Sequence, residues 1–315
     1  MSNKKTMSKV IRNFIKSLLI PSALCGVSMV AQANDQMREW MFASGKKEIA
    51  EIIAYDEPNK VATLRLLDKT QMKVSEQELS TIDRAWVLQW VEQDEELRSV
   101  VAKIGGTITQ QSGTGKFKIG YTVYHPPTEK SAGMLPMLIL FHPGGNGRRS
   151  IYPYVEAAST VGVILVSLDW FQNTSIASVS DEKMLEGFEL LLPQIEATVP
   201  HDTTRLFMGG MSGGASRAYE YSAKVSRPWA GIYAGGGWLG GEEEYHLPFP
   251  KMRVAMVNGN KDDPANFWIE SDSARLRKSG CVVSVHAFEG VHQIAPSSVQ
   301  EKALRWLISN ESKPL

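Results

Sequence analysis

The stretch TRLFMGGMSGGASRAYEYSAKV, residues 204–225, decides the fold. Arg205 to Met208 reads as a short strand, and Gly213 to Val225 reads as a helix. Between them Gly210-Met211-Ser212-Gly213-Gly214 has the form G-x-S-x-G. Turning at once from strand into helix forces the corner residue into strained backbone angles, and Cβ atoms beside it would clash. The pattern therefore predicts a sharp elbow that holds the Ser212 hydroxyl clear of a sheet, at the positive end of a helix.

The same alternation extends on both sides. Phe117 to Tyr124, Met137 to Phe141, Val163 to Leu168, Gly231 to Ala234, Met252 to Val257 and Val282 to Phe288 read as strands. Tyr152 to Thr160, Met184 to Val199, Phe267 to Lys278 and Val299 to Ser309 read as helices. Met137 to Phe141 is a continuous apolar run, as a strand buried on both faces requires. Strands alternating with helices predict an α/β class with a mostly parallel sheet, whose chemistry lies in loops past the carboxyl ends of the strands.

A serine hydroxyl needs a base, and the base needs an orienting acid. His292 lies in FEGVHQIAP, residues 288–296, directly after a strand and before the last helix. His286 falls inside that strand, and His201 and His246 fall in loops with no strand end behind them. The acid is expected after the strand RVAMVNG, residues 253–259, where Asp262 is favoured by its offset from Gly259 and Asp263 is the reserve. The order is Ser, Asp, His, with gaps of 50 and 30 residues. The oxyanion site would use the Gly213 amide and one amide of the loop FHPGGNG, residues 141–147. Pro143 has no N–H, so Gly144 or Gly145 supplies it. His142 is expected to hold this loop by a hydrogen bond. No metal-ligand set such as H-E-x-x-H is present and no cofactor motif stands out, so the expected hydrolysis needs neither metal nor cofactor.

With elbow, acid loop, histidine loop and oxyanion loop in this order, residues 117–310 resemble the α/β-hydrolase superfamily. The resemblance is to exported esterases of the polyhydroxybutyrate depolymerase and feruloyl esterase type, with dienelactone hydrolases nearby. It implies a serine esterase that works through a covalent acyl-enzyme on Ser212, with Asp262 and His292. The stretch GGGWLGGEEEYHLPFPK, residues 235–251, is too short for a large helical cap. An open site suits a bulky or polymeric ester, and Trp170, Phe171 and Trp238 are candidates for its pocket. A serine peptidase and a non-catalytic binding protein are the alternatives.

Residues 37–92 read as a separate small unit. Glu48 to Tyr55, Lys60 to Leu67 and Gln71 to Val74 are strand-like, Asp56-Glu57-Pro58-Asn59 is a turn, and Ser80 caps a helix. The run from Arg38 to Val87 resembles the Sla-one homology domain at Arg38, Trp40, Gly45, Ala50, Val61, Leu64, Leu66, Val74, Leu79, Ser80 and Asp83, and departs from it at Lys69. That resemblance implies a small, β-rich, SH3-like domain that docks a protein or a surface polymer; a plain spacer is the other reading. Residues 93–116 are expected to be a linker, with Gly105-Gly106 and a Ser/Thr/Gln-rich end. Gly115-Lys116 is no phosphate loop, because Gln110 and Phe117 stand where Gly and Ser or Thr are required.

Residues 1–33 carry five basic residues and no acidic one, then a short apolar run and Ala31-Gln32-Ala33. This is the pattern of a cleaved signal peptide, and the run is shorter than the roughly 20 residues that span a bilayer. The expectation is a secreted or periplasmic protein with no membrane span. The 315-residue chain has 34 basic and 34 acidic residues. Loss of residues 1–33 leaves a formal net charge of −5. An acidic balance argues against nucleic acid as a partner, since phosphates need a basic excess. Two cysteines without a CxxC pair exclude a disulfide framework.

Overall fold

The computed structural model describes residues 38–66, 68, 70–127, 133–145, 147–171, 179–240 and 246–309. The expected signal peptide lies outside them, as do Lys69 and part of the 235–251 stretch.

Four strands come first: β1 (Arg38–Met41), β2 (Lys47–Asp56), β3 (Val61–Leu66) and β4 (Gln71–Ser75). They form an antiparallel sheet in sequence order. Trp40, Ala50, Ile52, Ala62, Leu64 and Val74 point to one face and are buried there with Val87 and Trp90 of the following helix. β2 carries a bulge: Ile52 pairs with Leu64 and Ala54 with Thr63, which leaves Ile53 without a partner residue on β3.

The helix α1 (Thr81–Ile104) starts at Ser80, whose hydroxyl accepts from the Asp83 amide. It runs far past the expected boundary at residue 92, and its Val101 is buried in the large core. After Gly105 and Gly106, both at positive φ, comes β5 (Thr107–Ser112), paired antiparallel with β6 (Gly120–His125). The expected linker is therefore helix as far as Ile104 and edge strand from Thr107 to Ser112. A Cβ at Gly106 would meet the His125 carbonyl and the Tyr124 ring, so this turn is closed tightly against β6.

The rest alternates as expected: β7 (Met137–Phe141), α2 (Gly147–Ser150), α3 (Tyr152–Val161), β8 (Ile164–Leu168), α4 (Asp181–Thr198), β9 (Leu206–Met211), α5 (Gly213–Lys224), β10 (Trp229–Gly235), β11 (Arg253–Gly259), α6 (Asp263–Lys278), β12 (Val282–Phe288) and α7 (Ser297–Ile308). The eight-stranded sheet has the order β12-β11-β10-β9-β7-β8-β6-β5. Every pairing from β12 to β8 is parallel, and β6 and β5 close one edge antiparallel. β7 and β8 are buried along their whole length, with apolar clusters on both sheet faces. The chain leaves β7 toward β8 and returns to β9 on β7's other side. Such a switch point opens a crevice at the carboxyl ends of the strands. Among the described residues no helix is long and apolar enough to cross a membrane.

Candidate functional site

Ser212 stands at the switch point, between β9 and α5, with φ 57 and ψ −124. A non-glycine residue at positive φ is strained, and here the surroundings impose it. A Cβ at either Gly210 or Gly214 would fall on the Phe141 carbonyl at the end of β7. The glycines thus let the elbow press against the neighbouring strand. Gly213 opens the helix, and its amide is one of the first-turn N–H groups with no intrahelical acceptor.

Three side chains predicted from the sequence meet here. His292 Nε2 lies 2.9 Å from Ser212 Oγ, and His292 Nδ1 lies 2.9 Å from Asp262 Oδ2. The Asp262 side chain is fully buried, and that of His292 is 38% exposed. Asp262 also caps α6, its Oδ1 accepting from the Ala265 amide at 3.3 Å. Asp263 is exposed on the first turn of α6 and takes no part. The acid and histidine loops are laced together: the Asn260 amide donates to the Phe288 carbonyl, the Lys261 amide to the Gly290 carbonyl, and the Gly290 amide to Asn260 Oδ1. This lacing fixes the spacing of Asp262 and His292. Residue type at Asn260 gives no hint of it, because two of the three bonds are made by backbone.

The loop after β7 lies beside the elbow, where His142 and Met211 line one small cavity. The Gly145 amide donates to the His142 carbonyl at 2.9 Å, and the Gly144 amide donates to His142 Nδ1 at 3.1 Å. Burial depresses the His142 pKa to about 4, so its ring is neutral near pH 7 and Nδ1 is free to accept. The loop is anchored further on, where the Trp170 amide donates to the Gly145 carbonyl and the Gly147 amide to Asp169 Oδ1, both at 2.7 Å. Asp169 follows the buried strand β8. Its position at a strand end is the signal that sequence reading passed over.

The fold is matched among solved structures. The esterase LipW from Mycobacterium marinum aligns with a TM-score of 0.53 at 16% identity, over 69% of this chain and 84% of its own. A bacterial heroin esterase gives 0.52 at 16% identity, over 70% and 91%. Thermogutta terrifontis esterase 2, phosphoramylated by tabun, gives 0.51 at 15% identity, over 65% and 94%. The fold is that of the α/β-hydrolases. At these identities the likeness is one of fold. No protein-family model matches the chain, and no curated protein matches it in sequence.

Within this α/β-hydrolase fold the aromatic pocket candidates separate. Phe171 is 1% exposed and packs edge-on against Phe141, Phe188 and Tyr221. It belongs to the core, which corrects its assignment to the pocket. Trp170, at φ 82, is half-buried and leans on Phe117 and Phe171 and over Gly187. Trp238 is half-buried beside the elbow, its carbonyl accepting from Ser216 Oγ. A small cavity of about 50 Å³ lies between Met211, His142, Pro143 and Ile294. His201 is buried against the Val199 carbonyl, and His286 packs edge-on to Trp306. Among the described residues no group of three or more His, Cys, Asp or Glu is arranged to hold a metal ion.

Proposed function

We propose that the protein is a serine hydrolase that cleaves carboxylic esters through an acyl-enzyme on Ser212. One observation carries the reading: an unbroken chain of contacts from Ser212 Oγ through the His292 ring to the buried Asp262, each 2.9 Å long. Ser212 Oγ attacks the ester carbonyl while His292 Nε2 takes its proton. Asp262 accepts from Nδ1–H, fixing the tautomer and stabilising the imidazolium. The tetrahedral oxyanion is met by the Gly213 amide and by an amide of the 142–147 loop. The loop donor is Gly144 or Gly145, whose amides lie at His142 Nδ1 and at the His142 carbonyl. Collapse of the intermediate expels the alkoxide, which takes the proton from Nε2 and leaves as alcohol. Water then gives its proton to His292, attacks the acyl carbon and releases the acid and Ser212.

The exposure of His292 supports an open site, which suits a bulky or polymeric ester. The test is hydrolysis of a small chromogenic ester by wild type and Ser212→Ala. The variant should lose at least ~10³-fold in kcat and should no longer react with a fluorophosphonate. Equal rates for the two proteins would overturn the reading. We further propose export, on the strength of residues 1–33 alone. Sequencing the N-terminus of the exported protein should find a start just after Ala33, and a start at Met1 would contradict it.

A further inference from the structure

The loop that faces Ser212 is held from two sides, and one of them is the N-terminal sheet. α2 begins at Gly147, directly after the loop, and its second residue is Arg148. Arg148 Nη1 donates to the Ile53 carbonyl at 2.7 Å, across 95 residues of sequence. Ile53 is the extra residue of the bulge in β2, so its backbone is released from the ladder and turned to an outside donor. The Arg148 guanidinium also lies over the ring of Trp90 in α1, 5.5 Å from its centroid. One residue before Arg148, the Gly147 amide is fixed to Asp169. A Cβ at Gly147 would strike the Ser167 carbonyl, so this end of the loop lies flat on β8. A second link comes from the same sheet: Glu51 and Arg65 face each other on β2 and β3 as a shielded ion pair 2.5 Å long. Burial raises the Asp169 pKa, and the positive charge of Arg65 opposes that rise.

We propose that the N-terminal sheet is a working part of the active site, and that Arg148 is a positioning residue that transmits the bulge at Ile53 to the oxyanion loop. The bulge presents a carbonyl, Arg148 takes it, and the loop from His142 to Gly147 is thereby held at one height above Ser212. A donor aimed at a developing oxyanion is useful only at the right distance, so a small slip of this loop acts on kcat. The inference rests on the ester-hydrolase reading for its catalytic half and on geometry alone for its positioning half.

The full chain is compared with Arg148→Met, which keeps the stem but cannot donate, and with Arg148→Lys, which restores a donor. In Arg148→Met the amides of Gly144, Gly145 and Gly147 should exchange with deuterium about tenfold faster, kcat on the chromogenic ester should fall about tenfold, and KM should stay within about twofold. Arg148→Lys should recover part of both. Should Arg148→Met fail to fold, Arg148→Gln, polar but shorter, is read in the same way. Wild-type exchange at the three glycines overturns the proposal, whatever the activity. Faster exchange with unchanged kcat overturns its catalytic half. If Ser212→Ala itself proves fully active, the hydrolase reading has failed, and the exchange result alone decides whether Arg148 positions the loop.

Discussion

Gly214 contributes to the site through the side chain it lacks. Phe141 ends β7 with its carbonyl directed at the first turn of α5, and a Cβ on Gly214 would lie on that oxygen. Gly214→Ala must therefore push α5 away from β7, and Ser212 moves with it. The His292–Ser212 contact of 2.9 Å does not survive such a shift. We expect the variant to lose at least ~100-fold in ester hydrolysis and about 1–3 kcal/mol of stability. Activity at the wild-type level in a folded variant would contradict this account of the elbow. At this scale the sequence was most legible. Steric need restricts positions 210 and 214, two residues to either side of Ser212, to glycine, and the offset from Gly259 singles out Asp262 over Asp263. Phe171 was not legible in that way. An aromatic residue just after a strand reads alike whether it lines an opening or fills the core, and here α4 and α5 close over it.

At the scale of elements, strands buried on both faces announced themselves, and the exposed edge strand β5 did not. β7, β8 and β9 are apolar because both faces are covered. β5 reads TITQQS and exposes most of its length at the sheet edge, so hydrophobic pattern could not separate it from a linker. The long α1 escaped for a related reason: its middle runs past the small sheet before Val101 reaches the large core. α6 carries a different surprise, the acid Asp272, 2% exposed and accepting from the Leu239 amide at 3.0 Å. Burial raises its pKa to about 6, against the pull of that hydrogen bond. A carboxyl with a raised folded-state pKa binds its proton more tightly in the native state. Stability is then lost as pH climbs from about 4 to about 6 and stays reduced above that. Asp272→Asn keeps an acceptor for Leu239 and removes the charge. It should be more stable than wild type by about 1–3 kcal/mol at pH 8 and no more stable near pH 4. Urea unfolding at the two pH values reads the difference directly, and a gain independent of pH would point away from ionisation.

At the scale of the whole molecule, the described chain from Arg38 onward is one compact unit and not a small domain tethered to a large one. α1 gives Val87 and Trp90 to the small core and Val101 to the large one, and Arg148 reaches back to β2. The sequence divides at this point because a change of periodicity, from antiparallel strands to alternating strand and helix, looks like a boundary. Among the described residues, contacts across that boundary include a bulge carbonyl held by a guanidinium, which leaves no periodic trace. Coupling of this kind has a measurable consequence at Trp40, which is far from Ser212 in sequence. Trp40 is fully buried, donates from its indole to the Ala50 carbonyl at 2.9 Å, and meets Trp86 edge-on with ring centroids 5.3 Å apart. Trp40→Ala removes one of the two buried tryptophans of the small core and should cost about 3–5 kcal/mol. If the two cores unfold together, that loss lowers the single melting transition of the entire chain. Far-ultraviolet circular dichroism and residual esterase activity should then fall at the same, lower temperature. Two separate transitions, with activity outlasting the melting of the sheet, would mean that the N-terminal sheet is an independent passenger.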